Sequence, residues 1–392
     1  MPYSYSRSSY PSSSSYTPAM GVVKFRNTNK VAIFVSEGNT SPYKCAIRFI
    51  DLSTLSEYAS AYVPAMASPS SAIRECHSFA TPNGTYGFLV HHDHSNYKTN
   101  FFDIFIVSED GSVLNASKNT VKDGYSSPSY RYTVLSDTEI ALAWEWTHTY
   151  TNEVYIYNLQ TKTWSGGSNT GLRGDNSDPL LFLGTDNNKY YLLPQQANSV
   201  NTQKLYRLDG GITGTPTLLN SSISLQGYNF LGSPMPGIVI TGTSNGFIYI
   251  YDLNLNSNNL TLLRTIDVSN LTEISPTNGL LDIKGLTCDI ISNNESICSI
   301  AWYGSNYIVP LKLNIKRNSN NAVSIDITYT SLATNVSYRH TPGVFTGAVC
   351  YSYNANVYTH ELTEGVIPFE TSIYGVAKNN GNIGDSIQVI IP

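Results

Sequence analysis

Between residues 228 and 268 the chain runs through four short β-rich stretches in succession: 228–232, 238–243, 247–252 and 262–268. Ser244, Asn245 and Gly246 separate the second from the third. An Asn-Gly pair between two such stretches is a strong hairpin signal, because both residues tolerate the positive φ of a tight turn. Strands joined by short loops in this way form an antiparallel meander. A meander of four strands has two apolar faces and can cover neither alone, so it demands neighbours of its own kind.

The chain supplies them. The third strand of this unit, residues 248–253 (IYIYDL), has counterparts at 47–52 (IRFIDL), 102–107 (FDIFIV), 154–159 (VYIYNL), 204–208 (KLYRL), 308–313 (IVPLKL) and 357–362 (VYTHEL). An apolar second strand precedes each one, at 31–35, 86–90, 140–144, 190–193, 297–302 and 344–349. The repeat averages roughly fifty residues, within the range of propeller blades. The expectation is an all-β chain: a seven-bladed β-propeller of four-stranded antiparallel blades occupying residues 20–371. Radial closure buries both faces of each sheet and leaves only short edges. A pair of β-sandwiches and a solenoid are the alternatives, and a solenoid requires shorter, stricter repeats. Ala141, Ala143, Gly347 and Ala348 suit the crowded positions expected near an axis.

Two segments flank the repeat. Residues 1–19, rich in Ser, Tyr and Pro, read as an extended leader outside the propeller core, with no apolar stretch of the secretory kind. Residues 372–392 read as a glycine-rich β-hairpin, with a closing strand or an attachment motif as its two roles.

Composition narrows the function. Charged residues are 13% of the chain, about half the usual share of roughly a quarter. Tyrosine occurs 29 times, the formal net charge is −5, and there is no basic cluster. Nucleic acid is excluded as an expected partner, as is membrane insertion, since no apolar run approaches bilayer length. Cys45, Cys76, Cys288, Cys298 and Cys350 are odd in number and form no CxxC, which argues against both a disulfide framework and a structural zinc.

Residues 152–164 (NEVYIYNLQTKTW) resemble the outer half of a kelch blade, although Ala141–Trp146 stands where that family carries a glycine pair. The C-terminal pattern Gly375-Val-Ala-Lys-x-x-Gly381-x-x-Gly384-Asp-x-Ile-x-Val389 resembles a glycine-punctuated motif of bacteriophage tail-fibre and other virion proteins. That resemblance implies a virion component, in tail fibre, tail tip or head fibre, present in several copies per particle. Its partners would be other virion proteins or a host surface glycan. Gly375, Gly381 and Gly384 would form the attachment motif.

Individual residues add candidate chemistry. On a strand, His92 and His94 share one face, with His91 and Asp93 on the other. Two imidazoles at that spacing can ligate a metal, but zinc wants three or four ligands, so burial is the plainer reading and no cofactor is expected. Trp144, Trp146, His148 and Tyr150 alternate along one stretch. Core packing is the first reading, and stacking of Trp146, His148 and Tyr150 on sugar rings is the second. Asp175, Asp178 and Asp186, with Asn187 and Asn188, offer oxygen ligands suited to calcium or plain turn chemistry. Gly242-Thr-Ser244-Asn-Gly246 matches a nucleophile elbow in letters but joins two strands where an elbow needs a helix. Glu145, Asp175 and Glu361 are the carboxylates a glycan-active propeller would use. The leading expectation is a non-enzymatic binding module; a glycan-active enzyme and a cellular kelch-type scaffold are its rivals.

Overall fold

The computed structural model describes residues 2–6, 20–37, 44–51, 54, 56–63, 72–93, 100–121, 129–146, 151–173, 181–193, 202–227, 229–243, 246–267, 282–304, 307–329, 332–333, 344–345, 348–353, 356–361, 376–377 and 389–390. They form an all-β propeller of four-stranded antiparallel blades. In chain order the strands are β1 (Pro2–Ser6), then β2 (Met20–Lys24), β3 (Lys30–Glu37), β4 (Lys44–Asp51) and β5 (Ser56–Val63). Next come β6 (Ala72–Ala80), β7 (Tyr86–Asp93), β8 (Asn100–Val107) and β9 (Val113–Val121). The meander β10 (Ser129–Val134), β11 (Glu139–Trp146), β12 (Thr151–Asn158) and β13 (Thr163–Arg173) follows. After it stand β14 (Leu181–Asp186), β15 (Lys189–Leu193), β16 (Thr202–Leu208) and β17 (Pro216–Ser224). The opening pattern of the sequence becomes β18 (Asn229–Gly232), β19 (Ile238–Gly242), β20 (Phe247–Asn254) and β21 (Asn259–Asp267). Then come β22 (Asp282–Ser292), β23 (Glu295–Gly304), β24 (Tyr307–Arg317), β25 (Val323–Tyr329) and the short β26 (Leu332–Ala333). The chain ends with β27 (Val344–Phe345), β28 (Ala348–Tyr353), β29 (Asn356–Glu361), β30 (Val376–Ala377) and β31 (Val389–Ile390).

The propeller has six sheets of four or more strands, not the seven expected. The meanders β6–β9 and β22–β25, which the repeat places in separate blades, belong to one nine-stranded sheet. They are joined by a single parallel bridge, Asp289 opposite Ala80. Contacts between sheets concentrate on the first strands, β2, β6, β10, β14, β18, β22 and β27, which therefore line the axis. Arg26, in the turn after β2, fastens the merger. Its guanidinium donates to the carbonyls of Pro82 (2.8 Å), Thr81 (2.8 Å) and Ile290 (2.9 Å), and it lies 5.9 Å from the Tyr86 ring centre. One cation thus ties the turn after β2 to the turn after β6 and to β22. The two inner strands are held so close that their backbones pair.

The faces of successive meanders pack as four clusters. Phe34 and Phe49 meet Phe88 and Phe105 between β2–β5 and β6–β9. Leu89 and Phe102 meet Leu142 and Trp144 one step on, joined by Ile290 of β22. Two further clusters join β10–β13 to β14–β17 and β14–β17 to β18–β21. Burying a Phe or Leu side chain contributes about 1.5–3 kcal/mol, so these interfaces are what a lone meander lacks. Ala141 and Ala143 are fully buried but stand on β11, a second strand, and not at the axis. Their small size admits Phe182 and Tyr190 from the next meander. The crowded inner position falls to Gly21 on β2, where a Cβ would come within 2.8 Å of Cys76 Sγ and the Phe88 ring.

Within the leader, Pro2–Ser6 pairs antiparallel with β29, at the outer edge of the last sheet (β1-β29-β28-β27). A strand that leads the chain thus completes the sheet that ends it. The C-terminal segment has a different arrangement: Val376 opposes Ile390 and Ala377 opposes Val389 in a two-stranded ribbon beside β1. The closing position considered for that hairpin is filled by β1.

Candidate binding face

Antiparallel alternation sorts the connections between two ends of the propeller. Turns from first to second strand and from third to fourth lie at one end, here the turn end. Connections from second to third strand, and from one meander to the next, leave from the other, here the connection end.

The turn end is built by local chemistry. Among the described residues, all six non-glycine positions with positive φ lie in its turns: Asn27, Lys162, Asn187, Asn188, Asn258 and Asn321. Asparagine tolerates this region because its short amide satisfies nearby backbone. The amide oxygen of Asn318 accepts from the N–H groups of Asn320 and Ala322, and Asn158 does the same for Gln160 and Thr161. Asp110 accepts from both the N–H and the hydroxyl of Ser112, which holds its carboxyl below the usual carboxylate range. Part of the abundant Asn of the sequence is explained here, as turn chemistry.

Two of the sequence-predicted site residues have their backbone at the connection end. His92 lies near the end of β7, and Trp146 ends β11. Arg173 ends β13 and Leu181 begins β14, so the stretch carrying Asp175 and Asp178 leaves from and returns to this same end. Three rings lie beneath the strand ends of the two neighbouring meanders. His91 stacks on Phe102 with centroids 4.9 Å apart and an 18° interplanar angle. Trp144 meets Phe102 edge-on at 5.2 Å and His91 at 5.9 Å. All three rings are buried, so core packing is the role of His91 and Trp144. Beside them Asn152 is fully buried at the start of β12; its carbonyl accepts from the Thr170 hydroxyl at 3.0 Å, fixing the end of β13.

His94, His148, Tyr150, Asp175, Asp178, Gly375, Gly381 and Gly384 lie outside the described residues. His92 and Trp146 are placed by backbone alone. Among the described residues no group of three or more His, Cys, Asp or Glu side chains is arranged to hold a metal ion.

Asp186, Asn187 and Asn188 form the tight turn between β14 and β15, at the turn end; Asp175 and Asp178, the oxygen ligands expected with them, lie outside the described residues. Likewise Glu361 ends β29, a third strand, at the turn end, while Glu145 stands at the connection end of β11. A hydrolytic pair needs carboxylates within about 10 Å, so Glu361 cannot partner Glu145.

Arg26 and the Arg317–Asp252 pair were not legible as key residues. An arginine in a polar turn looks the same in sequence whether it faces solvent or binds three carbonyls.

No protein-family model and no curated protein matches this chain. Solved structures do resemble it. U3-55K aligns over 89% of this chain and 97% of its own at 9% identity, with a TM-score of 0.46. The β-propeller domain of the Trilobed protease from Pyrococcus furiosus aligns over 91% and 99% at 7% identity and 0.43. An α-L-arabinanase from Penicillium chrysogenum, complexed with arabinobiose, aligns over 83% and 98% at 12% identity and 0.43. These likenesses concern the fold alone.

Proposed function

We propose that this propeller is a non-enzymatic binding module of a virion, in tail fibre, tail tip or head fibre. Its connection end would hold a host surface glycan or a neighbouring virion protein. One observation carries the binding part: connections rich in Tyr, Asn, Ser and Thr leave neighbouring meanders at one end, above a buried ring cluster that fixes the strand ends. Function commonly sits on loops held by a rigid scaffold, and aromatic and amide side chains are the groups that recognise sugars without charge. The virion setting rests on the resemblance of the Gly375–Gly381–Gly384 pattern. Single sugar contacts are weak, so several copies per particle would supply the avidity.

Binding of the chain to host envelope glycan, as monomer and as an engineered multimer, tests this reading. The multimer should bind at least about a hundredfold more tightly than the monomer. Tyr150→Ala with His148→Ala should abolish that gain, and Asn321→Gly at the turn end should not. A multimer that fails to bind, or binding lost equally from both ends, would refute the reading. The alternative is a glycan-active enzyme using Glu145 and Asp175. Steady release of reducing sugar that stops with Glu145→Gln would establish it.

A further inference from the structure

Two of the five cysteines meet in the fold. Strands β22 and β23 pair antiparallel, and their register sets Cys288 directly opposite Cys298. The flanking pairs, Thr287 with Ser299 and Asp289 with Ile297, are regular; the bulges of this ladder lie at 283–285 and 290–292. Directly opposite positions share a face, with Cα atoms about 4.5–5.5 Å apart and similar Cβ separations. A disulfide spans Cα separations of about 4.4–6.8 Å, with Cβ atoms about 3.5–4.5 Å apart. Closure therefore needs a Cβ approach on the order of 1 Å, within what a twisted strand pair can give. The other three cysteines have no such partner: Cys45 opposes Ser36 and Val63, Cys76 opposes Val90, and Cys350 opposes Thr359. Cys298 is a fully buried free thiol, its Sγ 3.6 Å from Ser296 Oγ.

We propose that Cys288 and Cys298 form a redox-responsive pair, two thiols under reducing conditions and a cross-strand disulfide under oxidising ones. The oxidant is a small disulfide of the glutathione class. One cysteine thiolate attacks a sulfur of that disulfide, giving a mixed disulfide and releasing one small thiol. The second cysteine thiolate attacks the protein-side sulfur of the mixed disulfide, forming the Cys288–Cys298 bond and releasing the second small thiol. Two electrons pass to the small disulfide, and the two cysteine protons end on the two released thiols. The position gives the bond a consequence. Cys288 is adjacent to Asp289, the residue through which β22 bridges β6, so the staple would fix β22 where the two meanders merge. The inference is independent of the binding role proposed above.

Glu295 lies between the two cysteines, and cleavage there makes the test direct. The full chain is refolded in a glutathione redox buffer or in dithiothreitol, free thiols are alkylated, and the product is cut with a glutamyl endopeptidase and trypsin, since cleavage at Lys312 separates Cys298 from Cys350. The oxidised sample should yield the Cys288 and Cys298 peptides as one linked mass that separates on reduction, and its Tm should exceed that of the reduced sample by several degrees. Cys288→Ser should remove both effects. The wild-type mass decides the matter even if a variant fails to fold. Alkylation of both residues in the oxidised sample, a separate small-thiol adduct on each, or linkage of either to another cysteine would overturn the proposal.

Discussion

Asp252 and Arg317 form a two-bond ion pair between two meanders, and its loss can be given a magnitude. Asp252 sits on β20 and Arg317 ends β24; the guanidinium donates to both carboxylate oxygens, at 2.9 and 2.6 Å. Their side chains keep only 15% and 18% of their exposure, so solvent screens the pair incompletely. Gly237 packs beside the pair: a Cβ there would lie 3.6 Å from Asp252 Oδ1 and 3.7 Å from Arg317 Nη2, in ordinary contact, so it is the φ of 80 that calls for glycine. Exposed pairs contribute about 0.2–1 kcal/mol, while breaking a buried pair costs about 3–5 kcal/mol. Partial burial and a two-bond geometry place this pair between them, at about 2 kcal/mol of coupling. Arg317→Met should cost about 2–3 kcal/mol, because it leaves a half-buried carboxylate without its partner. Asp252→Asn should cost somewhat less, and the double variant scarcely more than Arg317→Met. Urea unfolding followed by both tyrosine fluorescence and circular dichroism gives the four corners of the cycle, with coincident transitions as the condition for using them. A coupling below about 0.5 kcal/mol would place the pair with exposed ones and refute the argument from burial.

Two further predictions test packing and ionisation. Gly87→Ala should destabilise by about 1–3 kcal/mol or prevent folding, since the new Cβ would overlap the Phe105 carbonyl oxygen and stand 2.6 Å from the Phe79 ring; a urea midpoint unchanged from wild type would contradict the close approach of β7 and β8. Burial, with Glu109, Asp51 and Asp110 nearby, pushes the Tyr58 hydroxyl up to about 12, and it donates to the Glu109 carbonyl at 2.7 Å. The unfolded chain loses that proton near pH 10, so the folded state holds more protons between about pH 10 and 12 and stability must fall as pH rises through that window. Tyr58→Phe should flatten part of the slope, with Tyr155, Tyr190, Tyr249 and Tyr251, also raised by burial, keeping the rest; an unchanged slope would show that Tyr58 ionises alike in both states.

The sequence carries the strands because their apolar alternation is local. All the recurrent stretches from 47–52 to 357–362 fall on third strands, β4, β8, β12, β16, β20, β24 and β29. The predicted hairpin at 244–246 joins β19 to β20, with Gly246 at φ 102 and Thr243 N–H bonded to the Phe247 carbonyl at 2.9 Å. What the sequence hides is long-range backbone pairing. Nothing in the letters around Ala80 or Asp289 marks the bridge that merges two meanders, because a backbone hydrogen bond has no residue signature. Pro2–Ser6 is equally opaque: its polar alternation resembles a linker, and only the free edge of β29 gives it a partner. For the site, the alternation of Trp144 and Trp146 was readable, but the end to which each carboxylate belongs depends on strand parity. Miscounting one strand would send Glu361 to the wrong end.

The merger also bears on where a ligand would sit. A propeller that works through its axis needs its inner strands apart, with polar side chains facing a funnel. Here β6 and β22 come within backbone pairing distance, and at the turn end Arg26 spans three carbonyls from two neighbouring segments. Replacing Arg26 would leave those carbonyls without their charged donor inside a part-buried site, at about 1–3 kcal/mol for each that stays dry. The turn end is therefore committed to holding the ring together: its asparagines adopt left-handed turns, and the guanidinium groups of Arg26 and Arg317 are engaged across meanders. At the connection end the described residues hold the ring stack of His91, Phe102 and Trp144, the Thr170–Asn152 bond and the β19–β20 hairpin, where Thr243 N–H bonds the Phe247 carbonyl. Sequence change is tolerated where backbone conformation and hydrogen bonding are not already specified. Substitution by a β-branched or bulky residue in the turns of Asn27, Asn258 or Asn321, where the backbone is already left-handed, would therefore cost the fold itself.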